Sequence, residues 1–231
     1  MKNIRHCVKH ILFNILIPII SCFPASTQDT VKISENITFK AGINGSGSKL
    51  NVLVDYPEID VGGHISLHYG IQFNKGGLRT SLYYHWNDVN DEFLIEHNDG
   101  DIISIESENY KGLGFLFGPQ FTFAESEEIA AQVCLQGGGF VANLPGQTFH
   151  YINNITGIKS KGTAPGFAFA ISLDFMYFAK QHLGFTFSPS LLWEIANIPR
   201  YYSLGVDGVN TDPYLWYFLY PELKIGVLYQ L

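Results

Sequence analysis

The chain has 231 residues, with 14 Lys and Arg against 21 Asp and Glu and a formal net charge of −7. That acidic balance argues against a nucleic-acid partner, whose phosphates demand a surplus of cations. The length suits one domain, and only Cys134 of the three cysteines lies beyond residue 22, so no internal disulfide is expected to staple the fold.

The first ten residues carry Lys2, Arg5 and Lys9 and no acid, and an apolar run from Ile11 to Phe23 follows, broken by Asn14, Pro18 and Ser21. This pattern predicts a secretory signal peptide over residues 1–27, cleaved after Thr27, and a single barrel domain over 28–231. The apolar run is too short for a transmembrane helix, which needs about 20 apolar residues. A second reading takes Ile19, Ile20, Ser21 and Cys22 as a lipoprotein box in which Cys22 is lipidated. Without the leader, 11 Lys and Arg face 21 Asp and Glu, a net charge of about −10.

Eight segments then alternate apolar and polar residues with period two. In the first, Ile37, Phe39, Ala41 and Ile43 oppose Thr38, Lys40, Gly42 and Asn44; after a long segment at 45–60, Ile65 to Phe73 oppose His64, Ser66, His68, Gly70 and Gln72. The glycine-rich Asn74–Gly77 predicts a tight hairpin. The third segment sets Leu78, Leu82, Tyr84 and Trp86 against Arg79, Ser81, Tyr83 and His85, and an acidic excursion covers 88–109. The fourth sets Leu113, Phe115, Phe117, Phe121 and Phe123 against Gly112, Gly114, Leu116, Gly118, Gln120 and Thr122; a short acidic turn leads to the fifth, Ile129 to Leu135 against Ala130, Gln132, Cys134 and Gln136. A loop at 143–163 precedes the sixth, Phe167 to Tyr177 against Ala168, Ala170, Ser172, Asp174 and Met176. After Lys180–His182 comes the seventh, Leu183 to Trp193 against Gly184, Thr186, Ser188, Ser190 and Glu194, and after a loop at 196–213 the eighth ends on Ile225, Val227, Tyr229 and Leu231.

Segments of about 9 to 11 residues, joined alternately by short turns and long loops, predict an all-β, eight-stranded antiparallel transmembrane barrel, an up-and-down meander with short periplasmic turns and long external loops. The polar face decides between this and a soluble sandwich. A soluble exterior should be rich in Lys and Glu, whereas this face is mostly Gly, Ala, Ser, Thr and Gln, suited to a narrow interior filled by side chains. Pro119, Pro189 and Pro221 fall within these strands and predict bulges or strand boundaries, and Gly137–Gly139 predict a bulge or close packing.

TFKAGINGSGSKL at 38–50, GPQF at 118–121 and the closing KIGVLYQL resemble the small outer-membrane β-barrel family of Bacteroidetes-type bacteria. The resemblance implies an eight-stranded outer-membrane barrel and, for most members, no established biochemical activity. The partners it implies are outer-membrane lipid, lipopolysaccharide and the barrel assembly machinery.

Several constellations bear on function. Lys40, Arg79 and Lys224 with Asp174, Glu194 and Glu222 form a balanced lumenal set; a narrow low-dielectric interior penalises unpaired charge, which favours an ion-pair plug over a selectivity filter or proton route. His64, Ser66, His68, His85, Gln120 and Gln132 are expected as lumenal polar groups. With Glu194 the His and Ser residues formally supply a nucleophile, a base and an orienter, resembling the set of outer-membrane lipid A deacylases. Here, however, Leu67 and His68 follow Ser66 where those enzymes carry Asn, so no catalytic role is expected. Asp88, Asp91, Glu92, Asp99 and Asp101 belong to an acidic external loop whose spacing matches no calcium loop, and no metal or cofactor is expected. Asn98–Asp101 predicts a hairpin turn between Phe93–Ile95 and Ile102–Ile105. Tyr83, Tyr84, Trp86, Trp193, Tyr201, Tyr202, Tyr214, Trp216 and Tyr217 are expected to form interfacial girdles. The leading functional expectation is a non-enzymatic barrel that presents loops for surface interaction, adhesion or envelope integrity; the alternatives are a narrow channel and a lipid-modifying enzyme.

Overall fold

Period-two alternation places every second side chain on one face, so a closed sheet of such strands has two chemically distinct walls. The computed structural model describes residues 33–45, 59–89, 91, 95, 102–126, 128–179, 182–198 and 214–231; the expected signal peptide with Cys22, and Glu92, Asp99, Asp101, Tyr201 and Tyr202, lie outside the described residues. Among the described residues there are eleven strands, β1 Ile33–Asn44, β2 Ile59–Phe73, β3 Gly76–Val89, β4 Ile102–Ser107, β5 Tyr110–Glu125, β6 Ile129–Leu144, β7 Gln147–Tyr151, β8 Thr156–Lys159, β9 Gly162–Phe178, β10 Leu183–Ile198 and β11 Tyr214–Gln230. Eight of them close into an antiparallel barrel in the order β1-β11-β10-β9-β6-β5-β3-β2, and β4, β7 and β8 form a separate three-stranded sheet. Phe167–Tyr177, apolar enough to be a buried helix, is strand, as its alternation requires.

One circuit of the wall from Ser34 through Gln72, Gly77, Gln120, Cys134, Ser172, Ser190 and Glu222 returns to β1 at Asn44, ten residues further along. With strands about 4.8 Å apart rising about 3.3 Å per residue, that stagger tilts them by about 40° and gives a backbone radius of about 8 Å, a bore that side chains fill. The short turns lie at one end, where Asn74 adopts a left-handed φ of 54° in the β2–β3 hairpin, a conformation asparagine tolerates better than most residues.

Several expectations are corrected. Pro119 and Pro189 stand opposite Leu78 and Leu223 in unshifted register, and on their other sides the pairings to β6 and β9 skip them without a shift, so each costs a ladder bond but makes no bulge. Pro221 lies just past the last β1 pair, Asn44 with Glu222, and its carbonyl accepts the Gly45 N–H at 3.1 Å. Gly137–Gly139 pair in register with both neighbours; the β5–β6 irregularity falls instead between Thr122 and Ala124. Close packing is what Gly138 provides, because a Cβ there would stand 2.9 Å from the Phe115 carbonyl carbon and 3.0 Å from Leu116 Cα. Ile102–Ser107 is a strand that pairs with β7 from the next long loop, and Ile95 is helical rather than extended; the rest of the expected hairpin, Phe93, Leu94 and Asn98–Asp101, lies outside the described residues.

Candidate functional site

The outer wall is apolar along every barrel strand. Phe39, Leu67, Leu82, Phe115, Phe169, Phe185, Leu191 and Ile225 are all exposed, Phe115 by 54%. The inner wall carries the buried polar groups, and they are bonded across the bore in three tiers.

In the tier nearest the short turns, Arg79 on β3 donates from Nε to Gln120 Oε1 and from Nη2 to Gln132 Oε1, each at 3.0 Å, and from Nη1 to Asp174 Oδ2 across the barrel. Lys40 Nζ on β1 reaches the other oxygen of Asp174 at 2.8 Å. Gln120 and Gln132 in turn donate to Gln72 Oε1, and Gln132 and Gln72 to Thr122 Oγ1. Arg79 and Asp174 are only 2% and 1% exposed. A planar guanidinium forked between a carboxylate and two amides is a geometry lysine cannot copy.

The middle tier holds two separate groups. Ser66 Oγ lies 2.8 Å from His68 Nε2, and His68 Nδ1 lies 2.6 Å from Ser81 Oγ, which also bonds Gln136. Glu222 takes His64 Nδ1 at 2.7 Å, Lys224 Nζ at 2.6 Å and Ser190 Oγ at 2.8 Å.

The third tier, toward the long loops, is aromatic. Glu194, fully buried, accepts from Tyr83 OH at 2.8 Å, His85 Nε2 at 3.0 Å and Tyr110 OH at 3.3 Å. His85 Nδ1 faces Asn87 Oδ1 at 3.0 Å, while Asn87 donates to Asn44. His85 thus lies between Glu194 and Asn87, within hydrogen-bond reach of both. Tyr83, Tyr110, Phe140, Leu192, Phe218 and Tyr220 pack around this carboxylate as an apolar core inside the bore.

All twelve lumenal residues expected from the alternation are buried, and the tiers join them in four groups rather than one. Glu194 meets His85 and two tyrosines, not lysine or arginine. Ser66 and His68 meet each other, but Ser81 occupies the position that an orienting acid would take. Tyr83 is a correction: its ring is lumenal and bonded to Glu194, not part of an interfacial girdle, whereas Tyr217 and Trp193 are exposed on the outer wall. Sequence reasoning did not single out Tyr110 as a partner of Glu194 or Tyr220 as part of the lumenal aromatic core, although their parity with Gly112 and Glu222 carried the signal. Of the acidic loop, Asp88 is exposed and Asp91 is tied to the Ser107 N–H at 3.2 Å and to its hydroxyl. Among the described residues, no group of three metal-ligating side chains is assembled.

An apolar exterior around a packed polar bore is inverted relative to a soluble barrel and stable only in lipid. This is an outer-membrane β-barrel.

No family model and no curated protein matches the chain, so the Bacteroidetes-type family stands as a resemblance of pattern. Among solved structures, the chain is similar to a major outer membrane protein from Thermus thermophilus, at 10% identity and TM-score 0.47 over 86% of this chain and 99% of that one. It is also similar to OprG from Pseudomonas aeruginosa, at 11% identity and TM-score 0.42 over 88% and 97% of the two chains. A third similarity is to Ail, the attachment invasion locus protein of Yersinia pestis, at 14% identity and TM-score 0.40 over 86% and 97%. Likeness this distant carries neither ligand nor partner to the present barrel.

Proposed function

We propose that the chain is a non-enzymatic wall protein whose lumen is sealed by its own side chains and whose external loops and β4-β7-β8 sheet carry its interactions with the surroundings, in adhesion, surface recognition or envelope integrity. The observation that supports this reading is that buried side chains bond to one another inside the bore at three successive levels, Arg79 with Asp174, Glu222 with His64 and Lys224, and Glu194 with Tyr83 and His85. A conducting path needs a column of water, and a bore of about 8 Å backbone radius that is spanned in three tiers leaves no room for one. Hydrolysis is disfavoured by the same packing, since Ser66 and His68 face inward and His68 has no carboxylate partner. In this reading the partners of the wall are outer-membrane lipid and lipopolysaccharide, with the barrel assembly machinery needed for insertion, and the loops supply specificity.

Planar-bilayer recording of the folded protein tests the proposal, with a heat-modifiability gel reporting that the barrel has formed. A folded, silent protein is the expected result. Discrete ion-selective steps that change when Arg79 or Glu194 is substituted would refute the seal and establish a channel.

A further inference from the structure

The outer wall over β5, β6 and β9 carries a trough. Here β6 contributes Gly137 and Gly139, and the register sets Gly137 between Phe117 and Phe169 and Gly139 between Phe115 and Phe167. All four rings are exposed, Phe167 by 69%. None of them closes over Gly139, because a Cβ there would meet nothing nearer than the Gly166 carbonyl oxygen at 3.8 Å. With strands about 4.8 Å apart, the two phenylalanine ridges rise from strands about 10 Å apart, over a floor of bare backbone.

A polar row closes the external end of this trough. Asn143 of β6 pairs with Lys111 on β5 and with Thr163 on β9, and all three side chains are exposed on the same face as the glycines. At about 3.3 Å per residue and a tilt of about 40°, Asn143 stands about 15 Å above Gly137, the depth of one leaflet of a hydrocarbon core about 30 Å thick. Among the described residues Lys111 has no ion-pair partner, and the side chains of Asn143 and Thr163 make no hydrogen bond. Trp86, opposite Lys111 on β3, lies over Gly63 of β2, where a Cβ would run into its ring, and so leaves the ammonium uncovered. Of the neighbouring carboxylates, Glu108 is paired with Lys161 at 2.8 Å, and Asp88 belongs to β3, on the side of Lys111 away from the trough.

We propose that this face docks one outer-leaflet lipid of the lipid A class, with a phosphate on Lys111, the Asn143 amide and Thr163 hydroxyl as further donors, and one acyl chain laid over Gly139 and Gly137. In a bilayer no hydrophobic force prefers one apolar surface to another, so selection rests on close packing and polar contact. The trough supplies the packing, since a chain within it touches rings on both sides and gains dispersion from each. The phosphate supplies the polar contact, a charge-assisted bond to a lysine that has no counter-ion in the wall. The long loops lie at this end of the barrel, which places the row in the external leaflet. The assignment rests on the reading of lipopolysaccharide as a partner of the wall, and not on the seal of the lumen.

Native mass spectrometry of the folded protein in detergent, titrated with diphosphoryl lipid A, tests the docking. One retained lipid per barrel is expected, and loss of the charge-assisted contact in Lys111→Gln should weaken retention by about tenfold. Gly139→Leu, whose side chain would occupy the open floor of the trough, should weaken it too, whereas Lys75→Gln in the β2–β3 turn should not. Dephosphorylated lipid A should bind the wild type as poorly as the intact lipid binds Lys111→Gln. A heat-modifiability gel reports folding, and should a variant not fold, the two lipids compared on the wild-type barrel decide. Retention of lipid A that survives Lys111→Gln or Gly139→Leu, or equal retention of the two lipids, would overturn this site while leaving lipopolysaccharide as a partner of the wall. No retention by the wild type would overturn both.

Discussion

Replacing Asp174 by Asn is the sharpest test of a sealed lumen. Among the described residues, Asp174 is the one carboxylate paired with both Lys40 and Arg79, and all three side chains are at most 2% exposed. The substitution keeps the shape of the side chain, removes its charge and leaves two cations buried with amide oxygens as their remaining acceptors. Breaking a buried ion pair from one side costs about 3–5 kcal/mol, because the abandoned charge stays desolvated. With a urea dependence of about 2 kcal/mol per molar, a loss of about 4 kcal/mol lowers the unfolding midpoint by about 2 M. The assay is urea unfolding of the barrel in detergent, followed by tryptophan emission and by the heat-modifiable band on a cold gel. Adding Lys40→Met to Asp174→Asn should recover at least about 1 kcal/mol, since neighbours in one network couple by about 0.5–3 kcal/mol. A single-variant loss below about 1 kcal/mol, the range of solvated pairs, would mean that water screens Asp174, and the filled-bore argument would fail with it.

Four further outcomes are expected. Tyr83→Phe removes one of the three donors to Glu194 and should cost about 1.5–3 kcal/mol by the same urea assay, the value of a hydrogen bond to a charged group, whereas Tyr84→Phe on the outer wall should be neutral. Gly138→Ala should cut folding yield sharply because its Cβ meets the backbone of Phe115 and Leu116, while Gly139→Ala, with only the Gly166 carbonyl at 3.8 Å, should fold normally; equal yields would contradict the packing. Phe115→Arg on the lipid face should cost about 2–4 kcal/mol when folding is measured in bilayers, and no loss there would show that this wall does not meet lipid. Arg79→Lys should destabilise the barrel despite keeping the charge, since a lysine cannot hold Gln120, Gln132 and Asp174 together; a wild-type midpoint would show that charge alone suffices.

Much of this architecture is legible locally. Backbone geometry turns each alternation into two faces, so Lys40, His64, Arg79, Gln132, Asp174 and Glu194 were assignable to the lumen from parity alone, and the spacing of turns set the number of barrel strands. Composition supplied the inversion: glycine, serine and glutamine on one face and phenylalanine on the other suit a wall that is wet by lipid and packed within. Tertiary closure decided what parity could not. Which lumenal groups meet depends on the ten-residue stagger, which sets Arg79 of β3 against Asp174 of β9 and sends Glu194 to His85 and two tyrosines instead of a lysine. The pairing of β4 with β7 joins two loops separated by two barrel strands, and the prolines keep register because the neighbouring strand holds it for them. A strand's faces follow from its own covalent geometry, but the partners of each face are fixed only when the sheet closes and every strand has a height relative to the others.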